Sequence, residues 1–588
     1  MIEAIKLLWP NIPRKRKLNL LVLFFLTLIS SLLEVFSIGA VFPFVTVFVE
    51  PSMLLENKFF KPYFAYYKIN EAVELFLPIT IAFFILTTLS YSFRLFLIYL
   101  RATLSRTIIH EISSLIYWRI INEPYKFHIN HNSGDIITGI TKSFGVASNL
   151  LLPIMVIINS VLMILFIMIG SILVDPKASI ILLISLFLFY LVVIFSTNKR
   201  LKEYSNIQNQ NYSQLIKIIQ ESIGAIKIMI LNRAQVIFYK SYNKITKEYL
   251  NSISMVEFIG QIPKLIFEYL ILITVVFTVY IFSEDENNLS VLIPLIVTFL
   301  FTIQKLLPIV NNLFVNITRV KSSNDSVKRV INYLNINKKS PLFIDEKIHK
   351  ELAFSEKITL KDINFRYSEN EFSLSKINLT IKKGQKIGFV GETGSGKSTL
   401  IDIISGILEP TKGEILIDNK ELVASNLNNW KEKINTVSQN IFLFDSTIAE
   451  NIAFCNDKSL VDIKKLEEVS KIAYLNDFIH SLENGYFTKI GERGIKISGG
   501  QMQRIGIARA LYNNPEILIL DEATSALDHK TEKKVMDNII RFSNNTTLLI
   551  IAHRITTLQN CDLIFKINAE GLETYNSYNK FINDNGDG

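Results

Sequence analysis

Apolar positions crowd the first half of the 588-residue chain and thin out in the second. Crossing a hydrocarbon core takes roughly 20 apolar residues in a helix. Six stretches meet that length or approach it: Leu18–Val49, interrupted by Glu34, then Ala72–Leu100, Leu150–Val174, Ala178–Ser196, Leu265–Phe282 and Leu289–Gln304. The connections at 101–142 and 199–249 retain helical apolar spacing, as in Ile108, Ile112, Leu115, Ile116 and Ile120. That period predicts helices running far beyond the bilayer. After Val330 the stretch Asn335–Glu356 is polar and lysine-rich, and from Ile358 short β-rich runs alternate with amphipathic segments. The pattern predicts a membrane domain over residues 1–330, a linker over 331–357 and an α/β domain over 358–588.

Charge orients this arrangement. Arg14, Lys15, Arg16 and Lys17 precede the first stretch, residues 199–249 carry nine Lys or Arg, and residues 101–142 carry five. The loop at 283–288 holds only Glu284, Asp285 and Glu286 as charged residues. Lys and Arg gather on cytoplasmic loops, so the N-terminus and the α/β domain are expected in the cytoplasm. The same bias accounts for the net charge of +9, and no nucleic-acid recognition motif accompanies it. Cys455 and Cys561, the two cysteines, exclude a disulfide scaffold and a C-x-x-C redox motif. Between the first two stretches, Phe59, Phe60, Tyr63, Phe64, Tyr66 and Tyr67 recur among lysines. They suit an interfacial aromatic belt or a lipid-contacting external helix.

The chemistry lies in the polar half. Gly391-Glu392-Thr393-Gly394-Ser395-Gly396-Lys397-Ser398-Thr399 follows the apolar strand Lys386–Val390 and precedes the helical run Leu400–Leu408. This is the context a phosphate-binding loop requires. Backbone N–H groups surround phosphate oxygens, Lys397 supplies a point charge, and the Ser398 hydroxyl suits Mg²⁺. A second strand, Ile517–Leu520, ends in Asp521 and Glu522. Asp521 there suits Mg²⁺, and Glu522 suits a base that polarises water toward a γ-phosphate. ATP and Mg²⁺ are the expected cofactors.

These residues, with the six spans, closely resemble ATP-binding cassette transporters of the exporter type, six spans followed by one cassette. Ile497-Ser498-Gly499-Gly500-Gln501 resembles the family's signature, with Ile497 where Leu is usual. Thr488–Gly494 resembles the X-loop, Ser525–Asp528 the D-loop, His553 the switch histidine, Gln439 the Q-loop and Tyr367 the A-loop aromatic. The resemblance implies an all-α transmembrane domain of six long helices followed by an α/β P-loop ATPase domain. It implies that Tyr367 stacks on adenine, His553 contacts the γ-phosphate, and Gln439 links Mg²⁺ or the attacking water to the membrane domain. It also implies that Ser498, Gly499, Gly500 and Gln501 act on nucleotide held by the opposite cassette. A homodimer with two active sites is therefore expected. Asn132–Asp135 and Glu221–Lys227 resemble regions flanking the coupling helices.

The chain as a whole is also similar to bacterial lipid-linked oligosaccharide flippases, which implies a place in the inner membrane. Arg94, Lys264 and Lys305 resemble the positions where those proteins place cavity-lining arginines toward the lipid pyrophosphate, although two of the three are lysine here. An anionic lipid-linked substrate is the expectation. Internal pairing competes with it, because Glu268 lies four residues after Lys264 and Glu34 is another partner, while Arg94 can snorkel. A general lipid, peptide or multidrug exporter is the alternative, and an ATP-gated channel or regulatory protein a more distant one.

Overall fold

The computed structural model describes residues 6, 8–50, 52–55, 72–174, 176–282, 289–322, 324–335, 352–367, 374–455, 457–491, 494–542, 545–552, 554–568 and 571–585. The aromatic loop 56–71, the acidic loop 283–288, His553, and Glu492 with Arg493 of the X-loop lie outside the described residues. The chain divides into two compact units, Met1–Glu123 with Asn130–Leu342, and Pro124–Ile129 with Phe343–Gly588.

The first unit is helical: α1 (Arg14–Gly39), α2 (Val41–Val49), α3 (Phe76–Ile121), α4 (Ser133–Val146), α5 (Leu152–Val174), α6 (Pro176–Gly224), α7 (Gln235–Phe282), α8 (Leu289–Ser322) and α9 (Asn324–Asn335). The six apolar stretches fall on α1 with α2, and on α3, α5, α6, α7 and α8. Among the described residues, 14–49, 76–121, 133–172 and 296–321 are long and apolar enough to span a membrane. Helices α3, α6 and α7, of 46, 49 and 48 residues, are each about twice the length a bilayer requires.

Burial on α1 reverses the pattern of a water-soluble helix. Thr27, Ser30, Ser31, Glu34 and Ser37, at helical spacing, are buried, while Leu18, Phe25 and Phe36 are exposed. Lipid tails are as apolar as leucine, so small and polar side chains mark the helix interfaces. Ser31 illustrates how this is tolerated: its hydroxyl donates to the Thr27 carbonyl at 2.9 Å.

At the end of this unit α9 is clamped. A Cβ on Gly139 of α4 would lie 2.2 Å from the Tyr333 ring, so only glycine lets the two helices meet. The Tyr333 hydroxyl donates to the Asp135 carbonyl at 3.2 Å, and the Arg119 guanidinium donates to the Leu334 carbonyl. Helix α9 thus runs past the expected boundary at 330.

In the second unit, β1 (Lys357–Phe365), β2 (Leu374–Lys382), β4 (Lys412–Ile417) and β5 (Lys420–Glu421) form an antiparallel sheet in the order β2-β1-β4-β5. A second sheet has the order β10-β9-β3-β8-β7-β6, from β3 (Lys386–Val390), β6 (Ile434–Val437), β7 (Ile517–Asp521), β8 (Thr547–Ile551), β9 (Leu563–Asn568) and β10 (Gly571–Tyr575). Within it β9, β3, β8, β7 and β6 run parallel. Buried side chains fill both faces of its centre, which explains why β3, β7 and β8 read as continuous apolar runs. Phe389 and Asp521 both stand level with Ile551 of β8. The ends of β3 and β7 therefore open on the same edge, outside the carboxyl ends of parallel strands, where open sheets place ligands.

Candidate nucleotide site

The loop after β3 is shaped by its glycines. Gly391, Gly394 and Gly396 have φ of 152°, 86° and 96°, a region costly for other residues. A Cβ on Gly391 would also lie 2.6 Å from both the Ile567 carbonyl oxygen and Ser395 Oγ. Gly396 starts the helix Lys397–Ile404, whose first N–H groups have no intrahelical acceptor and favour an anion. Lys397 Nζ donates to the Gly391 and Glu392 carbonyls at 2.7 and 2.8 Å. Burial lowers its pKa, against the opposing pull of Glu522 and Asp521. Ser395 Oγ is buried with no hydrogen-bond partner among the described residues. A phosphate oxygen in the loop would satisfy that hydroxyl, and the residues present fit a nucleotide.

The end of β7 supplies the acidic side. Ser398 Oγ lies 3.5 Å from Asp521 Oδ2, and Gln439 Nε2 donates to Glu522 Oε2 at 2.7 Å. Glu522 has φ of 50°, a left-handed turn that ends the strand at its carboxylate. The hydroxyl, carboxylate and amide oxygens are the hard donors Mg²⁺ takes, with phosphates and water completing its shell. Among the described residues no group of three His, Cys, Asp or Glu forms an all-protein metal cage. Behind the loop, burial and the charge of Asp521 push the Asp402 carboxyl up to about 6. Tyr367 stands half-buried beside this helix, its hydroxyl 3.2 Å from Thr399 Oγ1 and its ring edge-on to Phe365.

The signature residues open the helix Gly499–Tyr512. Ser498 is its N-cap, with Gln501 completing a capping box: Ser498 N–H donates to Gln501 Oε1 at 2.8 Å, and Gln501 N–H to Ser498 Oγ at 3.3 Å. The cap keeps this helix N-terminus exposed and ordered, as an anion-facing end requires.

Three positioning residues escaped the sequence reading. Gln503 donates to Ser525 Oγ and accepts from Ala526 N–H, both at 2.9 Å, which ties the signature helix to the D-loop. Arg509 donates to the Phe442 and Asn451 carbonyls at 2.7 Å, holding the segment after Gln439, and burial pushes its pKa down to about 10. Glu532 is buried and accepts from Thr524 at 2.9 Å and Arg554 at 2.7 Å, beneath a cavity of about 110 Å³ that Glu522 also lines. The signal for Gln503 was its position five residues after Ser498. Glu532 gave none, because a carboxylate on an amphipathic helix ordinarily faces water.

The membrane cations divide. Lys305 is buried, 2.8 Å from Glu34, whose other oxygen accepts from Ser90 at 2.7 Å. Its ammonium also lies 4.2 Å from the Tyr91 ring centroid. Lys264 stands 3.9 Å from Glu268 with both side chains more than two-fifths exposed. Arg94 is half-buried on α3. Lys305 and Lys264 thus occur in the internal pairs that competed with the substrate reading.

Residues 17–306 match the family described as ABC transporter transmembrane region, and residues 374–525 match the one described as ABC transporter. A heterocyst differentiation ATP-binding protein of Nostoc sp. is 31% identical over 401 residues, 68% of this chain and 65% of its own. An ATP-dependent lipid A-core flippase of Saccharophagus degradans is 42% identical over 208 residues, 35% of each protein. An alpha-hemolysin translocation ATP-binding protein of Escherichia coli is 43% identical over 223 residues, 37% of this chain and 31% of its own. The chain thus spans just under two thirds of the first relative and about a third of the other two. The solved structure of a bacterial Atm1-family ABC exporter with ATP bound has the same fold, with a TM-score of 0.74, 20% identity, and coverage of 97% of this chain and 96% of that one.

Proposed function

The chain belongs to the ATP-binding cassette transporter family, and from that premise we propose that it is an ATP-driven exporter or flippase working as a homodimer in a bacterial inner membrane. The observation that carries the ATPase reading is the contact of Gln439 with Glu522 beside the loop Gly391–Thr399. In this reading the loop N–H groups and Lys397 hold the phosphates, and Tyr367 packs on adenine. Ser398, Asp521 and Gln439 hold Mg²⁺, which supplies charge neutralisation at the phosphates when bound. Glu522 takes the proton of a water that Gln439 and His553 help to place. Ser498 to Gln501 of a second copy close each site.

The substrate we infer is an anionic, amphiphilic, lipid-linked molecule. Support comes from Arg94 and Lys264, which keep partial exposure, and from the resemblance to lipid-linked oligosaccharide flippases. Lys305 takes part only by leaving Glu34. A general exporter is the second reading, favoured by relatives named for hemolysin translocation and for putative multidrug export. Reconstitution with lipid-linked sugars, phospholipids and peptides, scored by stimulated ATPase and by flipping, tests the choice. The inference expects both responses with the anionic lipid-linked sugar, and stimulation by peptide or cationic drug alone overturns it. For the homodimer, a Lys397→Ala chain co-assembled with a Ser498→Ala chain should keep nucleotide at one site of two, and equal loss at both contradicts sites shared between copies.

A further inference from the structure

We propose that the membrane unit contains a pocket for one hydrocarbon chain of a lipid, separate from any site for the lipid's head. A cavity of about 610 Å³ lies among α1, α2, α3, α5 and α8. It is roughly four times the size of engineered apolar cavities of about 150 Å³, which stay dry and take benzene. Its walls include Phe36, Phe83 and Phe299. The lining hydroxyls are spoken for: Ser171 donates to the Met168 carbonyl at 2.9 Å, Thr298 to Pro294 at 2.7 Å and Thr302 to Thr298 at 2.8 Å. These described hydroxyls thus donate to backbone carbonyls and leave the pocket without a free hydroxyl donor among them.

The neighbouring charges exclude a head group in the same way. Glu34 adjoins the lining residue Val35, and Lys305 stands one turn after Thr302, but the two neutralise each other. Two glycines in the wall separate packing from vacancy. Gly170 admits the Val35 side chain, which a Cβ there would meet at 2.7 Å, as close helix packing requires. A Cβ on Gly39 would meet nothing within 4 Å. Among the described residues no atom fills the space beside Gly39, and in a bilayer the material at hand to fill it is hydrocarbon. The inference rests on the lipid-substrate reading and deepens it by assigning this pocket to the chain.

The test places the full-length protein in phosphatidylcholine nanodiscs containing phosphatidic acid with a terminal diazirine on one acyl chain, followed by illumination and peptide mapping. Labelling at the half-buried Phe83 and Phe299 should exceed that at exposed Leu95 by at least about fivefold. Gly39→Leu, whose Cβ would meet nothing within 4 Å, should remove that excess. Ala82→Phe, filling from another wall, should do the same if the first variant folds poorly. Even labelling across all apolar positions, or unchanged labelling in both filled variants, overturns the pocket. So does a disulfide between copies through Gly39→Cys, which would make a second chain the occupant. ATPase stimulation on the same samples separates the two readings: pocket labelling without stimulation removes lipid transport and leaves the pocket, and stimulation without labelling does the reverse.

Discussion

At the end of β7, Asp521 and Glu522 stay half-exposed beside the neutral side chains of Ser398 and Gln439. In the membrane unit, Glu34 and Lys305 are more than nine-tenths buried and consume each other's charge at 2.8 Å. Solvent explains the contrast. Water shares in stabilising these half-exposed carboxylates, which also lie in contact with Ser398 and Gln439 and in the field of Lys397. Hydrocarbon gives no such support, and an intramembrane ion persists when its partner is built in. Charge at the first place keeps its contact with solvent, and at the second it is matched within the protein.

The largest effect expected from this contrast is at Glu522. Replacing it with Gln should lower ATP turnover by roughly 10²–10⁴ while nucleotide binding persists, as steady-state hydrolysis and binding assays would show. Turnover within a few-fold of the parent would remove Glu522 as the base. Next comes Glu34→Gln, which strands a buried ammonium and should destabilise the membrane unit by about 3–5 kcal/mol, whereas Glu34→Leu with Lys305→Met should recover most of the loss. Unfolding in nanodiscs checks both, and an unaffected single variant would mean that Lys305 already reaches water. Lys264→Gln, from a looser and more exposed pair, should cost less than about 1 kcal/mol. Together with Arg94→Gln it should reduce transport of an anionic lipid-linked substrate while basal hydrolysis survives.

The smallest effect concerns Asp402. Its folded pKa, about 6, lies above its usual value of 3.8, so the native state holds the proton longer than the unfolded chain does. Stability from this group is complete below the ordinary carboxylate range and is lost as pH rises through about 6. Asp402→Asn should therefore raise the melting temperature of nucleotide-free protein at pH 7.5 more than at pH 4.5, modestly because the side chain is partly solvated. An equal shift at both pH values would assign the effect to something other than titration.

What the sequence disclosed depended on the range of each interaction. The phosphate loop is nine consecutive residues whose glycines and lysine state their conformation directly, and Asp521 with Glu522 sits at the end of an unmistakable buried strand. The apolar stretches likewise mark the helices in the order in which they occur. Glu34 stands out in sequence as a partner for a membrane cation, but that Lys305, 271 positions away, is the one it meets depends on how α1 meets α8, which periodicity does not encode. Glu532 looked like an ordinary surface carboxylate because Thr524, Arg554 and Thr557 reach it from other segments. The last five residues of α9 fall in the expected linker for a similar reason: Gly139 and Arg119, which receive Tyr333 and Leu334, are far upstream.

The clamp on α9 also dictates how this protein can be recombined with its relatives. A chimera joining this membrane unit to a foreign ATPase unit, cut at the change of composition near residue 330, would sever Tyr333 from Gly139 and Leu334 from Arg119. Helix α9 ends at Asn335, and a junction between there and β1 would carry the whole fastening with its owner.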